Sequence, residues 1–241
     1  MTINSFAFFD LDHTLLPVDS NGLWAYFLIS KCSAHKQEFE HRQKQFDLDY
    51  YNGVLDINKF MDFEMRLLSL FPRAALEEYR KEYIETYIKP NMKLNAVELV
   101  QKHKKSGDKV VIVTASYRFF AGEIAKLFDA DGLIAAEPEE NAEGQFTGGW
   151  LWHTFAQGKV TAVEKYVADR GGLETLKHSS FYSDSINDLP LLSFIAEHGG
   201  TAVATNPDKS LTRIAKQRGW KILNLFQVEE ASYEEVVEKT P

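Results

Sequence analysis

The run Phe6-Ala7-Phe8-Phe9, followed at once by Asp10-Leu11-Asp12-His13-Thr14, constrains this chain more than any other stretch. Four consecutive apolar residues describe a strand covered on both faces, as in the interior of a parallel sheet. Burying an unpaired carboxylate is costly, so two of them at the strand's carboxyl end demand a cation, hydrogen bonds or solvent. In open α/β sheets that end is also where ligands bind. Acids placed there two residues apart can share one hard metal ion, and one of them can serve as a nucleophile.

The bulk properties narrow the class. A chain of 241 residues has room for one substantial core, or a core and a small second lobe. Its 44% apolar and 13% aromatic content describes an ordered globular protein. A net charge of −8 argues against a nucleic-acid partner, which needs a basic face. The single cysteine, Cys32, allows no intrachain disulfide and fits a reducing compartment. There is no basic segment leading into an apolar leader, and no apolar run approaches the roughly 20 residues of a membrane span. The expectation is a cytoplasmic protein with no membrane partner, either monomer or homodimer.

After the first strand, residues 16–89 carry apolar residues at helical spacing and no strand pattern: Leu23, Trp24, Phe27 and Leu28, then Phe60, Phe63 and Leu67, then Leu76, Tyr79, Tyr83 and Tyr87. They are read as a compact helical cap subdomain inserted into a core made of residues 1–15 and 90–241. From Pro90 helix and strand alternate. Gly107 closes one helix, Val110–Val113 forms a strand ending in Thr114-Ala115-Ser116, and residues 132–150 read as a β-hairpin within the core. Gly158-Lys159 opens a helix, and the strand at 179–183 runs into Asp184-Ser185-Ile186-Asn187-Asp188. Pro190 stands in the first turn of the next helix, and strands follow at 201–204 and 221–225. The acidic end, Glu229 to Glu238, reads as a solvated helix. This alternation predicts an α/β fold with a doubly wound parallel sheet.

In such a sheet the polar clusters at three strand ends, Asp10/Asp12/Thr14, Thr114/Ser116 and Asp184/Asn187/Asp188, line one crevice, joined by Lys159 at a helix N-terminus. An excess of carboxylates with one lysine and several hydroxyls is the inventory for holding Mg²⁺ and a phosphate together. Asp10 is the candidate nucleophile. Asp12, two residues on, is placed to protonate a leaving oxygen and then activate water. Thr114 and the backbone N–H of Ala115 are candidates for holding phosphoryl oxygens, and Lys159 for neutralising their charge. Asp184 completes the metal site with Asp10, while Asp188 either orders metal-bound water or supports Lys159. His13 is not counted as a ligand, since imidazole is a poor partner for Mg²⁺. A calcium loop is excluded because Leu15 and Asn21 stand where it needs glycine and an acid.

The four motifs, in this order and strand context, resemble those of the haloacid dehalogenase superfamily of aspartate-nucleophile phosphatases, in its phosphoserine phosphatase-like branch (subfamily IB). The resemblance covers residues 6 to 190. It implies a Rossmann-like core with a helical cap, and Mg²⁺ held by the side chains of Asp10 and Asp184 and the carbonyl of Asp12. It also implies a small-molecule phosphomonoester substrate hydrolysed through an aspartyl-phosphate. Two positions depart from the branch. Ser185 replaces a usual glycine. Asp19 stands where phosphoserine phosphatases place a glutamate for the substrate ammonium group, and Arg66 is an approximate match to their cap arginine. The wording around Asp10 and Asp184 is similar to a proteobacterial subgroup, some of whose members are assigned as histidinol-phosphate phosphatases. The expected activity is hydrolysis of an amine-bearing phosphometabolite. Transfer of the phosphoryl group to an alcohol, or binding without catalysis, are the alternatives.

Overall fold

The computed structural model describes residues 5–226, so the expected helix over Glu229 to Glu238 lies outside the described residues. Seven strands form one sheet: β1 (Phe6–Phe9), β2 (Lys109–Tyr117), β3 (Gly132–Glu140), β4 (Phe146–Trp152), β5 (Ser180–Ser183), β6 (Thr201–Thr205) and β7 (Lys221–Leu223). Their order is β4-β3-β2-β1-β5-β6-β7, and every pairing is parallel except the antiparallel one between β3 and β4. The fold is a doubly wound α/β sheet, as the sequence predicts.

The order explains the position of β1. All four of its residues are fully buried between β2 and β5, and its neighbours Val110–Val113 and Phe181 are equally inaccessible. The chain adds β2 and β3 on one side of β1, then β5, β6 and β7 on the other. The winding therefore reverses beside β1, which is where a doubly wound sheet opens a crevice at its carboxyl edge. The described chain divides into two compact units. One holds residues 5–18, Asn91–Ala136 and 153–226; the other holds Asp19–Pro90 and Glu137–Trp152.

In the first unit the helices α5 (Leu94–Ser106), α6 (Arg118–Leu127), α7 (Gln157–Ala168), α8 (Leu189–Glu197) and α9 (Lys209–Arg218) cross between the parallel strands. Gly107 ends α5 in the left-handed conformation and Pro190 sits in the first turn of α8, as the sequence predicts. Strand β2 is longer than its apolar run. It continues through Thr114-Ala115-Ser116 to Tyr117, with a bulge in the register between Val113 and Tyr117. A bulge of this kind re-aims side chains at a sheet end.

The second unit contains α1 (Ser20–Lys31), α2 (Lys36–Tyr51), α3 (Ile57–Ser69) and α4 (Arg73–Tyr83), the last continued by a π-helical turn over Ile84–Ile88. Its aromatic stripes are core: Trp24 and Tyr83 are fully buried and meet edge to face at 5.0 Å, and the Tyr83 hydroxyl donates to the Ser20 carbonyl at 2.6 Å. The hairpin expected at 132–150 within the core is divided instead. The first part of β3 pairs with β2, whereas residues 137–152 join the helices. Side-chain contacts explain that placement. Trp150 Nε1 donates to Asp62 at 2.9 Å, Arg73 Nη1 to Glu140 at 2.8 Å, and the Arg73 backbone N–H to Gln145 at 2.8 Å. No helix among the described residues is long and apolar enough to cross a membrane.

Candidate active site

The site belongs wholly to the first unit and is built from the ends of β1, β2 and β5 and the first turn of α7. Asp10 directly follows β1, and its backbone N–H donates to the Tyr182 carbonyl at 2.9 Å, which fixes the carboxylate at the strand end. The chain then turns sharply: the N–H groups of Leu15 and Leu16 both reach the Leu11 carbonyl, at 2.9 and 3.0 Å, and His13 takes a left-handed conformation. Leu11, Leu15 and Leu16 are fully buried, so the turn is anchored by packing while its polar residues point elsewhere.

One ammonium group organises the acids. Lys159, on α7 and 3% exposed, donates to Asp10 Oδ1 and to Asp188 Oδ2, each at 2.6 Å. Burial pulls the pKa of Lys159 down, but the charges of Asp10 and Asp188 outweigh it and hold the lysine above its ordinary range. Asp188 also accepts from the Ser183 hydroxyl at 2.7 Å. It occupies the N-cap position of α8, yet its side chain makes no capping bond there. Its bond to Lys159 matches one of the two roles expected for it.

A hydroxyl joins the other two acids. Thr14 Oγ1 lies 3.1 Å from Asp10 Oδ2 and 3.0 Å from Asp184 Oδ1, and it accepts from the Asp184 N–H at 3.0 Å. Burial raises the pKa of Asp184 well above the carboxylate range, and the charges of Asp10 and Asp188 push it further. Burial likewise raises Asp188, against the lowering effect of Lys159. Two of the three acids thus share one ammonium and the third is joined through Thr14; the surplus negative charge and hard oxygens around Asp10 and Asp184 are what a divalent cation compensates. Among the described residues no group of three or more His, Cys, Asp or Glu is arranged as metal ligands. The carboxylates of Asp10 and Asp184, brought together on Thr14, fit the oxygen ligands that Mg²⁺ takes.

The β2 bulge completes the site. Ser116 Oγ donates to Asp12 Oδ2 at 2.9 Å, and the Ser116 N–H donates to the buried Thr114 hydroxyl at 3.1 Å. Ala115, between them, is partly exposed. The Thr154 hydroxyl donates to the Thr114 carbonyl at 2.5 Å, tying the segment before α7 to this bulge. In the Gly158-Lys159 pair the glycine is needed for close approach, because a Cβ there would stand 2.9 Å from the His153 carbonyl. In the loop after β5, the Asn187 N–H donates to Ser185 Oγ at 3.2 Å, so Ser185 stabilises by its side chain the turn where the branch usually has glycine.

Asp10, Asp12, Thr114, Ala115, Asp184, Asn187 and Asp188 therefore lie on adjacent strand ends and their following turns, and Lys159 lies in the first turn of α7. Asp19 and Arg66 belong to the second unit. Asp19 caps α1, its Oδ1 accepting from the Asn21 and Gly22 N–H groups at 3.0 and 2.9 Å. Arg66 is exposed on α3. Sequence reasoning passed over Asn206 and Asp208. Asn206 Nδ2 donates to the carbonyls of His13 and Thr14 at 3.0 and 3.2 Å, holding the turn after Asp10. Asp208 Oδ2 accepts from the Ile186 N–H at 2.8 Å, and its own N–H donates to the Asp184 carbonyl at 2.9 Å. The available signal was the polar run Thr205-Asn206-Pro207-Asp208 at the end of β6.

A buried lysine between two aspartates at the carboxyl edge of a doubly wound sheet, with a third aspartate joined through a threonine, is the arrangement expected from the family that the motifs resemble. Residues 7–193 match the haloacid dehalogenase-like hydrolase family, and the chain belongs to it, standing with its phosphatases. A histidinol-phosphatase of Neisseria meningitidis is 34% identical over 224 residues, which cover 92% of this chain and 99% of that one. A phosphoserine phosphatase of Mycobacterium tuberculosis is 33% identical over 226 residues, 90% of this chain and 69% of that one. A solved structure of a protein of unknown function from Bordetella pertussis superimposes with a TM-score of 0.85 at 36% identity, over 93% of this chain and all of that one.

Proposed function

We propose that this chain is a Mg²⁺-dependent phosphomonoesterase that hydrolyses a small amine-bearing phosphometabolite, of the histidinol phosphate or phosphoserine class, through an aspartyl-phosphate on Asp10. The observation that carries the reading is the convergence of Asp10, Asp188 and Asp184 on Lys159 and Thr14 from motifs at opposite ends of the sequence. The names of the two curated relatives support the substrate class.

Each residue has a task in the proposed reaction. An Asp10 carboxylate oxygen attacks phosphorus, and the bond to the leaving oxygen breaks. Asp12, held by the Ser116 hydroxyl at 2.9 Å, delivers a proton to that oxygen. The ammonium of Lys159, the Thr114 hydroxyl and the Ala115 N–H stabilise charge on the phosphoryl oxygens, and Asp188 holds the lysine in place, itself bonded by Ser183. Asp12, now a carboxylate, takes a proton from the water that attacks the acyl phosphate, releasing inorganic phosphate and restoring Asp10. Bound at Asp10, Asp184 and the Asp12 carbonyl, Mg²⁺ supplies charge neutralisation and orientation of the phosphate. Asp19 receives the substrate's ammonium group.

The test is turnover of p-nitrophenyl phosphate, histidinol phosphate and phosphoserine with Mg²⁺ and with EDTA. The reading requires phosphate release that EDTA abolishes and added Mg²⁺ restores. Activity indifferent to EDTA contradicts it, and a phosphorylated alcohol product in place of free phosphate points to transfer.

A further inference from the structure

Within the first unit, the turn Asn206-Pro207-Asp208 after β6 grips the backbones of two loops whose acids repel each other. Strand order places β5 between β1 and β6, so this turn must reach past the end of β5 to touch the turn that follows β1. Asn206 does so. Its Nδ2 gives one proton to the His13 carbonyl at 3.0 Å and the other to the Thr14 carbonyl at 3.2 Å. Its Oδ1 accepts from the Leu225 N–H at 2.7 Å, and its backbone N–H donates to the Leu223 carbonyl at 2.7 Å. The side chain is buried, with both amide protons spent on carbonyls and the amide oxygen on an N–H. Aspartate or leucine, of similar shape, could not make this set. The residue also takes a left-handed conformation, with φ 47°, which asparagine and aspartate adopt more readily than most side chains.

Asp208 grips the other loop. Its backbone N–H donates to the Asp184 carbonyl at 2.9 Å, and its Oδ2 accepts from the Ile186 N–H at 2.8 Å. Its Oδ1 caps α9 by accepting from the Leu211 N–H at 2.7 Å. Asp184 is thus fixed at both of its backbone polar groups, the carbonyl by Asp208 and the N–H by Thr14 Oγ1. Pro207, whose ring fixes φ, sets the step between the two grips. Asp10 and Asp184 are like charges drawn together on one hydroxyl. Repulsion favours their separation, so a tie between their backbones is what keeps the two carboxylates at one spacing.

We propose that Asn206 and Asp208 are positioning residues that fix the spacing of the Asp10 and Asp184 carboxylates, and through it the preference of the site for Mg²⁺ over Ca²⁺. The inference rests on the phosphatase reading above and deepens it, by naming what sets the choice of cation. Mg²⁺ demands oxygen ligands at about 2.0–2.1 Å in octahedral geometry, whereas Ca²⁺ accepts about 2.3–2.6 Å and irregular shells. A braced pair of carboxylates favours the smaller ion. A pair free to spread loses that ion first.

The test uses the full chain, stripped of cations with EDTA. It reads the rise in Tm on titration with Mg²⁺ and separately with Ca²⁺, which gives an apparent dissociation constant for each ion without turnover. Asn206→Asp tolerates the left-handed conformation and keeps an acceptor for Leu225, but deletes the two donors. Its Mg²⁺ constant is expected to weaken about tenfold or more, the usual effect of losing a group that orients a metal ligand, with a smaller change for Ca²⁺. Asp208→Ser keeps a cap for α9 and leaves the Ile186 N–H without its acceptor. It is expected to shift the balance between the ions in the same direction, and it decides by the same criterion if Asn206→Asp does not fold. An unchanged Mg²⁺ constant, or equal weakening for both ions, overturns the proposal, as does a wild type that takes both ions equally. A wild type that binds Mg²⁺ but releases no phosphate from any ester contradicts the phosphatase reading instead, and the two constants still decide the brace.

Discussion

Lys159 Nζ stands 2.6 Å from Asp10 Oδ1, although 149 positions separate the two residues in the chain. The contact joins the first motif to the third, and the same ammonium also bonds Asp188. Removing it leaves Asp10 and Asp188 buried against each other. For Lys159→Met the expected loss of activity is on the order of 10²–10³-fold, the scale of one lost charge-stabilising donor. Stability falls by about 3–5 kcal/mol, as for a buried ion pair deprived of one partner. Denaturant unfolding and steady-state kinetics check both. A fully active, equally stable variant contradicts the role given to this residue.

Thr14 is the second junction. Its hydroxyl lies within hydrogen-bond reach of both Asp10 and Asp184, the two side chains assigned to Mg²⁺. Thr14→Val keeps the shape and deletes the hydroxyl. The Mg²⁺ concentration for half-maximal activity is expected to rise about 10-fold or more, the usual effect of losing a group that orients a metal ligand. A titration curve that superimposes on wild type contradicts this.

Much of the site was legible because the motifs are local and polar at strand ends. Asp10, Thr114 and Asp184 could be placed from the apolar runs that precede them, and Lys159 from the Gly-Lys pair. What the sequence hid depends on long-range packing. The β2 bulge that turns Ser116 toward Asp12 is a register property of paired strands. Asn206 reaches back 193 positions to the His13 carbonyl, with no motif of its own. Residues 137–152 pair as a hairpin, as their pattern suggests, yet which unit they join is set by Asp62, Arg73 and Gln145.

Burial raises the pKa of Asp47 to about 6, against the hydrogen bonds from Tyr26 and Gln43 that favour its charged form. The folded protein therefore holds this proton more tightly than the unfolded chain does. The associated stability is fully present below the ordinary aspartate range near pH 4 and is lost as pH rises through about 6. Asp47→Asn removes that loss. The variant is expected to be more stable than wild type by about 2 kcal/mol at pH 8, with the difference shrinking toward pH 4. Melting curves across this range check the sign; a variant less stable than wild type at pH 8 contradicts the direction.

Asp19 can be tested cleanly because asparagine caps a helix as well as aspartate does. Asp19→Asn keeps an acceptor for the Asn21 and Gly22 N–H groups while removing the charge. Gly22 allows this arrangement, since a Cβ there would meet Asp19 Oδ2 at 2.7 Å. The expected result is a loss of kcat/KM on phosphoserine and histidinol phosphate at least about tenfold greater than on p-nitrophenyl phosphate, with Tm unchanged. Equal losses on all three substrates contradict an ammonium role.

The central claim is that the phosphoryl group passes through Asp10. Quenching the enzyme in mid-turnover with acid and reducing it with borohydride converts an aspartyl-phosphate to homoserine, which peptide mass spectrometry locates. The account predicts homoserine at position 10, dependent on substrate and on Mg²⁺. Modification at Asp12 or Asp184 instead, or none during active turnover, contradicts it.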